Sequence, residues 1–164
     1  LLDDPLYPNG IGSCSLDDEG VPSKTKHIIQ DGILKTFLYD LESASLSGNE
    51  STGNGFRYNF LSQPGTSTTN LIATSDNKIS YDGLEGGMGR DIMGVHNSNP
   101  LTGDFAVQII GAYALDKGEA GKAVKKCSLV GNLFDLLKRV ELSDDVKNYG
   151  NYYGPSWVFD GKLI

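Results

Sequence analysis

The stretch "KHIIQDGILKTFLY", residues Lys26 to Tyr39, decides the fold. Two β-favouring runs flank Asp31-Gly32. An Asp-Gly pair suits a type I′ turn, whose two central residues both need positive φ. Closing that turn sets Ile29 against Leu34 and Ile28 against Lys35. Side chains alternate across a strand, so Leu34 and Leu38 share one face while Ile33 and Phe37 share the other. A hairpin that is apolar on both faces is expected to be covered on both sides.

The rest of the chain agrees with a sheet. Its 164 residues include 21 Gly, 8 Tyr and 6 Phe at 38% hydrophobic content, which favours strands joined by tight turns over a helical bundle. Downstream of the hairpin, "DLESASLSG" predicts a short helix from Asp40 to Gly48. Residues 49–69 read as a long loop. "NLIATS", "RDIMGV" and "AVKKCSLVG" read as strands, and "GDFAVQIIGAYALDKG" reads as a longer strand interrupted at Gly111, where a bulge or bend is expected. "ISYDGLEGGMG" leaves room for one helical turn, weakened by its glycines. "SWVFDGKLI" is a final strand. The clear helix is expected over about 132–142. Asn132 is a good N-cap, Asp135 suits the positive helix N-terminus, and Leu133, Leu136, Leu137 and Val140 fall on one stripe. Before the hairpin, residues 1–25 are loop-like, with room for one short strand. The expectation is a β-rich α+β domain, mostly antiparallel, built on residues 1–164 as a single domain.

Charge and composition narrow the function. A net charge of −7 repels phosphate backbones, so no direct nucleic-acid partner is expected. The one basic cluster, Lys117, Lys122, Lys125 and Lys126, reads as a solvated face. No run of 18 apolar residues occurs, so no membrane span is predicted. Two distant cysteines, Cys14 and Cys127, form no disulfide framework and suit free thiols in a reducing cytoplasm. The chain begins at Leu1 without Met and reads as a processed chain or a fragment.

Immediately upstream of the hairpin lies "DDEG", Asp17, Asp18, Glu19 and Gly20. Three acids could bind a hard cation, but the alternate acids and distal Glu of an EF-hand loop are absent. Consecutive side chains also diverge, so a turn held by the carboxylates leads. Catalytic zinc needs about three ligands, mostly His. Only His27 and His96 are present, and no His-Glu-x-x-His pair occurs. A cysteine nucleophile would need Cys14 or Cys127 beside one of those histidines. Two loop segments, "STGNGFRYN" (51–59) and "NPLTGDFAV" (99–107), place Arg57, Thr102 and Asp104 at the mouths of strands. There they could line a peptide groove or simply hold turns.

Taken in order, "DDPLYPNGIGSCSLDDEGVPSKTKHIIQDGILKTFLYDLESA", "STGNGFR", "NPLTGDFAVQIIGAYALDKGE" and "CSLVGNLFDLLKRV" resemble successive blocks of the TldD/PmbA (TldE) family, which also carries the name modulator of DNA gyrase. The resemblance implies a zinc-dependent peptidase of two subunit types that digests unfolded peptides and processes peptide precursors. It further implies that this chain is the C-terminal domain of a longer polypeptide, working with a TldD-like sister subunit or as a homo-oligomer. In the zinc-bearing type, a His-Glu-x-x-x-His helix lies upstream and a cysteine ligand lies near the C-terminus. The tail "DDVKNYGNYYGPSWVFDGKLI" has no cysteine. The resemblance therefore implies the PmbA/TldE type, with no cofactor in this chain and zinc in the partner. It also raises the standing of Asp17, Asp18, Glu19 and Gly20 as a family signature. A β-rich peptide-binding or assembly module without an enzymatic role is the alternative.

Overall fold

The computed structural model describes residues 1–163. In chain order its strands are β1 (Leu2–Asp3), β2 (Lys26–His27), β3 (Ile29–Gln30), β4 (Ile33–Leu34), β5 (Gly55–Phe56), β6 (Gly65–Thr66), β7 (Leu71–Ile72), β8 (Lys78–Ile79), β9 (Gly86–Met88) and β10 (Asp91–Met93). They continue with β11 (Asp104–Ile110), β12 (Ala112–Asp116), β13 (Glu119–Val124), β14 (Cys127–Asn132), β15 (Glu141–Ser143), β16 (Lys147–Tyr149), β17 (Tyr152–Gly154), β18 (Trp157–Val158) and β19 (Lys162–Leu163). The α-helices are α1 (Leu41–Ser47) and α2 (Leu133–Leu137). The fold is α+β, β-rich and mostly antiparallel. The described chain divides into two compact units: residues 1–74 with 145–155, and residues 75–144 with 156–163.

In the first unit the sheet order is β16-β17-β7-β1-β2, and only β17 and β7 run parallel. The hairpin closes as its sequence predicts. Ile29 faces Leu34, Asp31 and Gly32 have φ of 52° and 73°, and the Lys35 N–H donates to the Ile28 carbonyl at 2.8 Å. The expected cover does not appear among the described residues. The ladder holds two residue pairs and the chain then leaves it, so Ile33, Leu34 and Phe37 stay more than half exposed. Helix α1 begins and ends where expected. The Asp40 carboxylate accepts from the Ser43 N–H at 2.7 Å, Ser43 returns a bond to the Asp40 amide, and Gly48 closes the helix at φ 69°, the left-handed cap that glycine adopts without strain. The 49–69 loop carries the two-residue hairpin β5–β6.

The buried centre of this unit is polar. Asp3, Asn54 and Asn70 are all 0% exposed. The Asp3 carboxylate accepts from the Thr69 amide (2.7 Å) and hydroxyl (2.8 Å), from Asn54 Nδ2 (2.8 Å) and from Lys26 Nζ (3.1 Å). Lys26 Nζ also donates to Asn54 Oδ1 at 2.9 Å. Asn70 ties three segments, accepting from Gly12 N and donating to the Asp4 carbonyl and the Ser13 hydroxyl. Every buried side-chain polar atom among the described residues has a partner. Such a core is stable only when complete, because an unpaired buried polar group costs about 1–3 kcal/mol.

The second unit holds a four-stranded sheet β10-β11-β14-β19, a three-stranded sheet β13-β12-β9 and a small sheet β18-β15-β8. Gly111, at φ 63°, ends β11 and lets β12 leave for a different sheet. The "AVKKCSLVG" strand is likewise split between β13 and β14, turning at Lys126 with φ 54°. Lys117-Gly118, both at positive φ, form a two-residue turn between β12 and β13. Two expectations are corrected here. "ISYDGLEGGMG" supplies β8 and β9 rather than a helical turn. Helix α2 starts at the expected cap, with Asn132 Oδ1 accepting from Phe134 N and Asp135 N, but it stops at Leu137. Residues 141–143 are taken by pairing with β18 and β8, and that ladder prevails over the helical stripe. "SWVFDGKLI" becomes β18 and β19, its Ile164 lying outside the described residues.

Candidate functional site

The acid turn is built inward from its own backbone. Asp17 N donates to the Val21 carbonyl and Gly20 N to the Asp17 carbonyl, with Gly20 at φ 80°. The Asp17 side chain is 6% exposed. Its Oδ1 accepts from Glu19 N (3.0 Å) and Val21 N (2.8 Å), and its Oδ2 accepts from Gly55 N (2.9 Å). Asp18 Oδ2 accepts from Arg57 N at 2.7 Å, while Asp18 N donates to the Gly55 carbonyl at 2.9 Å. Glu19 Oε2 accepts from Leu41 N at 2.8 Å, a carboxylate at the first turn of α1, where the helix dipole favours negative charge. The three acids thus clamp the turn, the start of β5 and the start of α1. Gly55 lacks a Cβ where the Glu19 carboxylate lies against it.

In the second unit, Thr102 and Asp104 form a smaller lock with Asn132. Thr102 Oγ1 donates to Asp104 Oδ2 at 2.8 Å, and Asn132 Nδ2 donates to Asp104 Oδ1 at 2.9 Å and to the Thr102 carbonyl at 2.8 Å. These bonds, that from Asn132 first and that from Thr102 second, hold the Asp104 carboxyl below the usual carboxylate range. The lock joins the start of β11 to the N-cap of α2. Arg57 presents an exposed guanidinium beyond β5.

A hydrolytic zinc does not fit the described residues. No group of three or more His, Cys, Asp or Glu is placed to hold a metal. His27 belongs to the first unit and His96 to the second, and in the acid turn both oxygens of Asp17 and one each of Asp18 and Glu19 are committed to backbone amides. Cys14 Sγ lies 3.6 Å from Ser23 Oγ. Cys127 is buried at an apolar hollow of about 230 Å³ shared with Met88, Ile109, Ala112, Tyr113 and Val124. The Asp3–Lys26–Asn54 network escaped sequence reasoning, because nothing in the spacing of those polar residues marks them as buried.

These features define an α+β, β-rich module whose acidic signature is a structural clamp. The family model described as PmbA/TldA metallopeptidase C-terminal domain matches residues 1–164, and the chain belongs to that family. It is 34% identical over its whole length to an uncharacterised protein of Methanocaldococcus jannaschii, of which it spans 39%. Over 88% of its length it is 31% identical to a metalloprotease TldD homologue of Haemophilus influenzae, of which it spans 31%. Among solved structures it superposes on TldE of Thermococcus kodakarensis with a TM-score of 0.82 at 27% identity, covering 99% of this chain and 38% of that one. The chain therefore spans well under half the length of these relatives. Among the described residues, no helix is long and apolar enough to cross a membrane.

Proposed function

We propose that this chain is the C-terminal domain of the zinc-free, PmbA/TldE-like subunit of a two-subunit metallopeptidase that degrades or processes unfolded peptides in the cytoplasm. A TldD-like sister subunit holds the zinc, and this chain shapes the chamber in which that subunit cuts. The observation that carries the reading is that residues 128–164 hold no cysteine, the one zinc ligand that the resemblance places in this part of the chain. Of the acids that stand together, Asp17 commits both oxygens and Asp18 and Glu19 one each to the amides of residues 19, 21, 41, 55 and 57, and no three metal-ligating side chains converge among the described residues. The likeness to TldE supports the subunit type, and the matches to metalloproteases support the class of complex. The Thr102–Asp104 lock stands on the loop entering β11, where it offers polar groups suited to contacting a peptide. The charge of −7 argues against a nucleic-acid partner.

The test measures metal and activity together on the full-length protein. Purified alone, it should carry zinc well below one equivalent and cleave no unfolded peptide. Mixed with a TldD-like sister subunit, it should co-elute and activity should appear. One tightly held zinc per chain, lost on substituting residues within 1–164, would overturn the reading. Peptide binding with no sister subunit captured would favour the assembly-module alternative.

A further inference from the structure

The loop between β5 and β6, residues 57–64, carries the least covered large apolar side chains of the described chain. Tyr58 is 96% exposed, Phe60 98% and Leu61 99%. The loop is nonetheless firmly built. Asn59 Oδ1 accepts from Leu61 N at 2.9 Å and from Ser62 N at 3.0 Å. The Ser62 hydroxyl accepts from Asn59 N at 3.1 Å and donates to the Asn59 carbonyl at 3.0 Å. Its root is pinned by Asp17 at Gly55 and by Asp18 at Arg57. A fixed turn that holds three large apolar groups in water is the mark of a contact surface. The Arg57 guanidinium beside it makes no hydrogen bond or ion pair among the described residues.

We propose that this loop is a knob received by the portion of the polypeptide that precedes Leu1 in the longer chain, on a surface that offers an apolar hollow with a carboxylate at its rim for Arg57. The inference rests on reading residues 1–164 as the C-terminal domain of such a chain. Three observations select this occupant. The relatives extend far beyond the matched part, which is 39% and 31% of their lengths. Aromatic side chains bury roughly 150–250 Å² each, so Tyr58 and Phe60, with the smaller Leu61, offer on the order of 500 Å². That falls short of the roughly 800 Å² per partner of a standard two-body interface, but it suffices for a tethered segment, which escapes most of the entropy cost of association. The tip of a hairpin is also convex, and a second copy would present the same convex tip, so a two-fold contact of tip on tip buries little. An anionic lipid surface is disfavoured by the three acids at the loop's root and the net charge of −7.

Maleimide labelling of the full-length protein, read site by site by mass spectrometry, tests this. Leu61→Cys should label at least tenfold more slowly than Glu50→Cys, an exposed control on the same unit, in a sample shown to be monomeric by light scattering. The two rates should converge in concentrated urea. Hydroxyl-radical labelling of the unaltered protein provides a second reading, and Phe60 should be protected. Equal native rates would overturn the proposal. So would protection that vanishes as a dimer is diluted to monomer, protection that requires a different subunit, or a gene product no longer than these 164 residues. None of these outcomes depends on which subunit holds zinc, so failure here is distinct from failure of the subunit assignment.

Discussion

Replacing Asp17 by Ala should unfold the clamp that joins the acid turn to β5. The carboxylate accepts three backbone N–H bonds, from Glu19, Val21 and Gly55. A hydrogen bond to a charged group contributes roughly 1.5–3 kcal/mol. The bond to Gly55 is buried, and its orphaned N–H cannot be rehydrated without opening the strand, so about 2–3 kcal/mol is assigned there. The amides of Glu19 and Val21 are half-buried and water can partly replace the lost acceptor, at about 0.5 kcal/mol each. The sum is about 3–4 kcal/mol for Asp17→Ala. Asp17→Asn keeps Oδ1 for the two outer amides but points an NH₂ at Gly55 N–H, and should cost about 2–3 kcal/mol. Urea unfolding of the full-length protein gives the totals, and amide hydrogen exchange at Gly55 gives the local effect. A loss below about 1 kcal/mol for Asp17→Ala, with Gly55 protection unchanged, would show that the turn stands without its carboxylate. Asp17 would then be free for another task.

Lys26→Met should be strongly destabilising, by about 3–5 kcal/mol in urea unfolding, since it leaves the fully buried Asp3 carboxylate without its cation. Asp3→Leu with Lys26→Met should cost less than the sum of the two single changes, giving a large coupling in a double-mutant cycle. Its stability should stay well below that of the unaltered protein, because the Thr69 amide and hydroxyl and Asn54 Nδ2 lose their acceptor. Asn132→Ala should raise the pKa of Asp104 toward the ordinary carboxylate value, as followed by carboxyl NMR titration, because its first-ranked stabilising donor is removed. The Asp40 carboxyl is held low chiefly by the Ser43 amide, then by the Ser43 and Thr66 hydroxyls. A depressed folded pKa gives stability that is present above the unfolded value and lost as pH falls through the folded one. The Ser43 amide resonance should therefore shift, and α1 fray, only as pH drops below the usual carboxylate range. Gly12→Ala should impair folding outright, because its Cβ would lie 2.5 Å from the Thr69 carbonyl oxygen, a contact that only movement of the backbone relieves. Soluble yield and circular dichroism report it.

The sequence by itself determined the elements whose chemistry is local. Asp31-Gly32 dictated its hairpin and register, because two positive φ values at a two-residue loop leave one turn type. Asp40 and Gly48 bracketed α1, and Asn132 began α2, because caps satisfy amides within a few residues of themselves. The class, β-rich α+β, followed from many glycines, aromatic residues and short apolar runs. Tertiary structure alone decided what depends on distant partners. It ended α2 at Leu137 by pairing Glu141–Ser143 with β18 and β8, split the long runs at Gly111 and Lys126 between sheets, and buried Asp3, Lys26 and Asn54 together from three separate segments. It also turned a row of acids into a clamp, since Asp17 Oδ2 and Asp18 Oδ2 take amides from Gly55 and Arg57, almost forty residues away. Spacing along the chain encodes local geometry, but it cannot say which distant amide will take up a carboxylate's lone pairs.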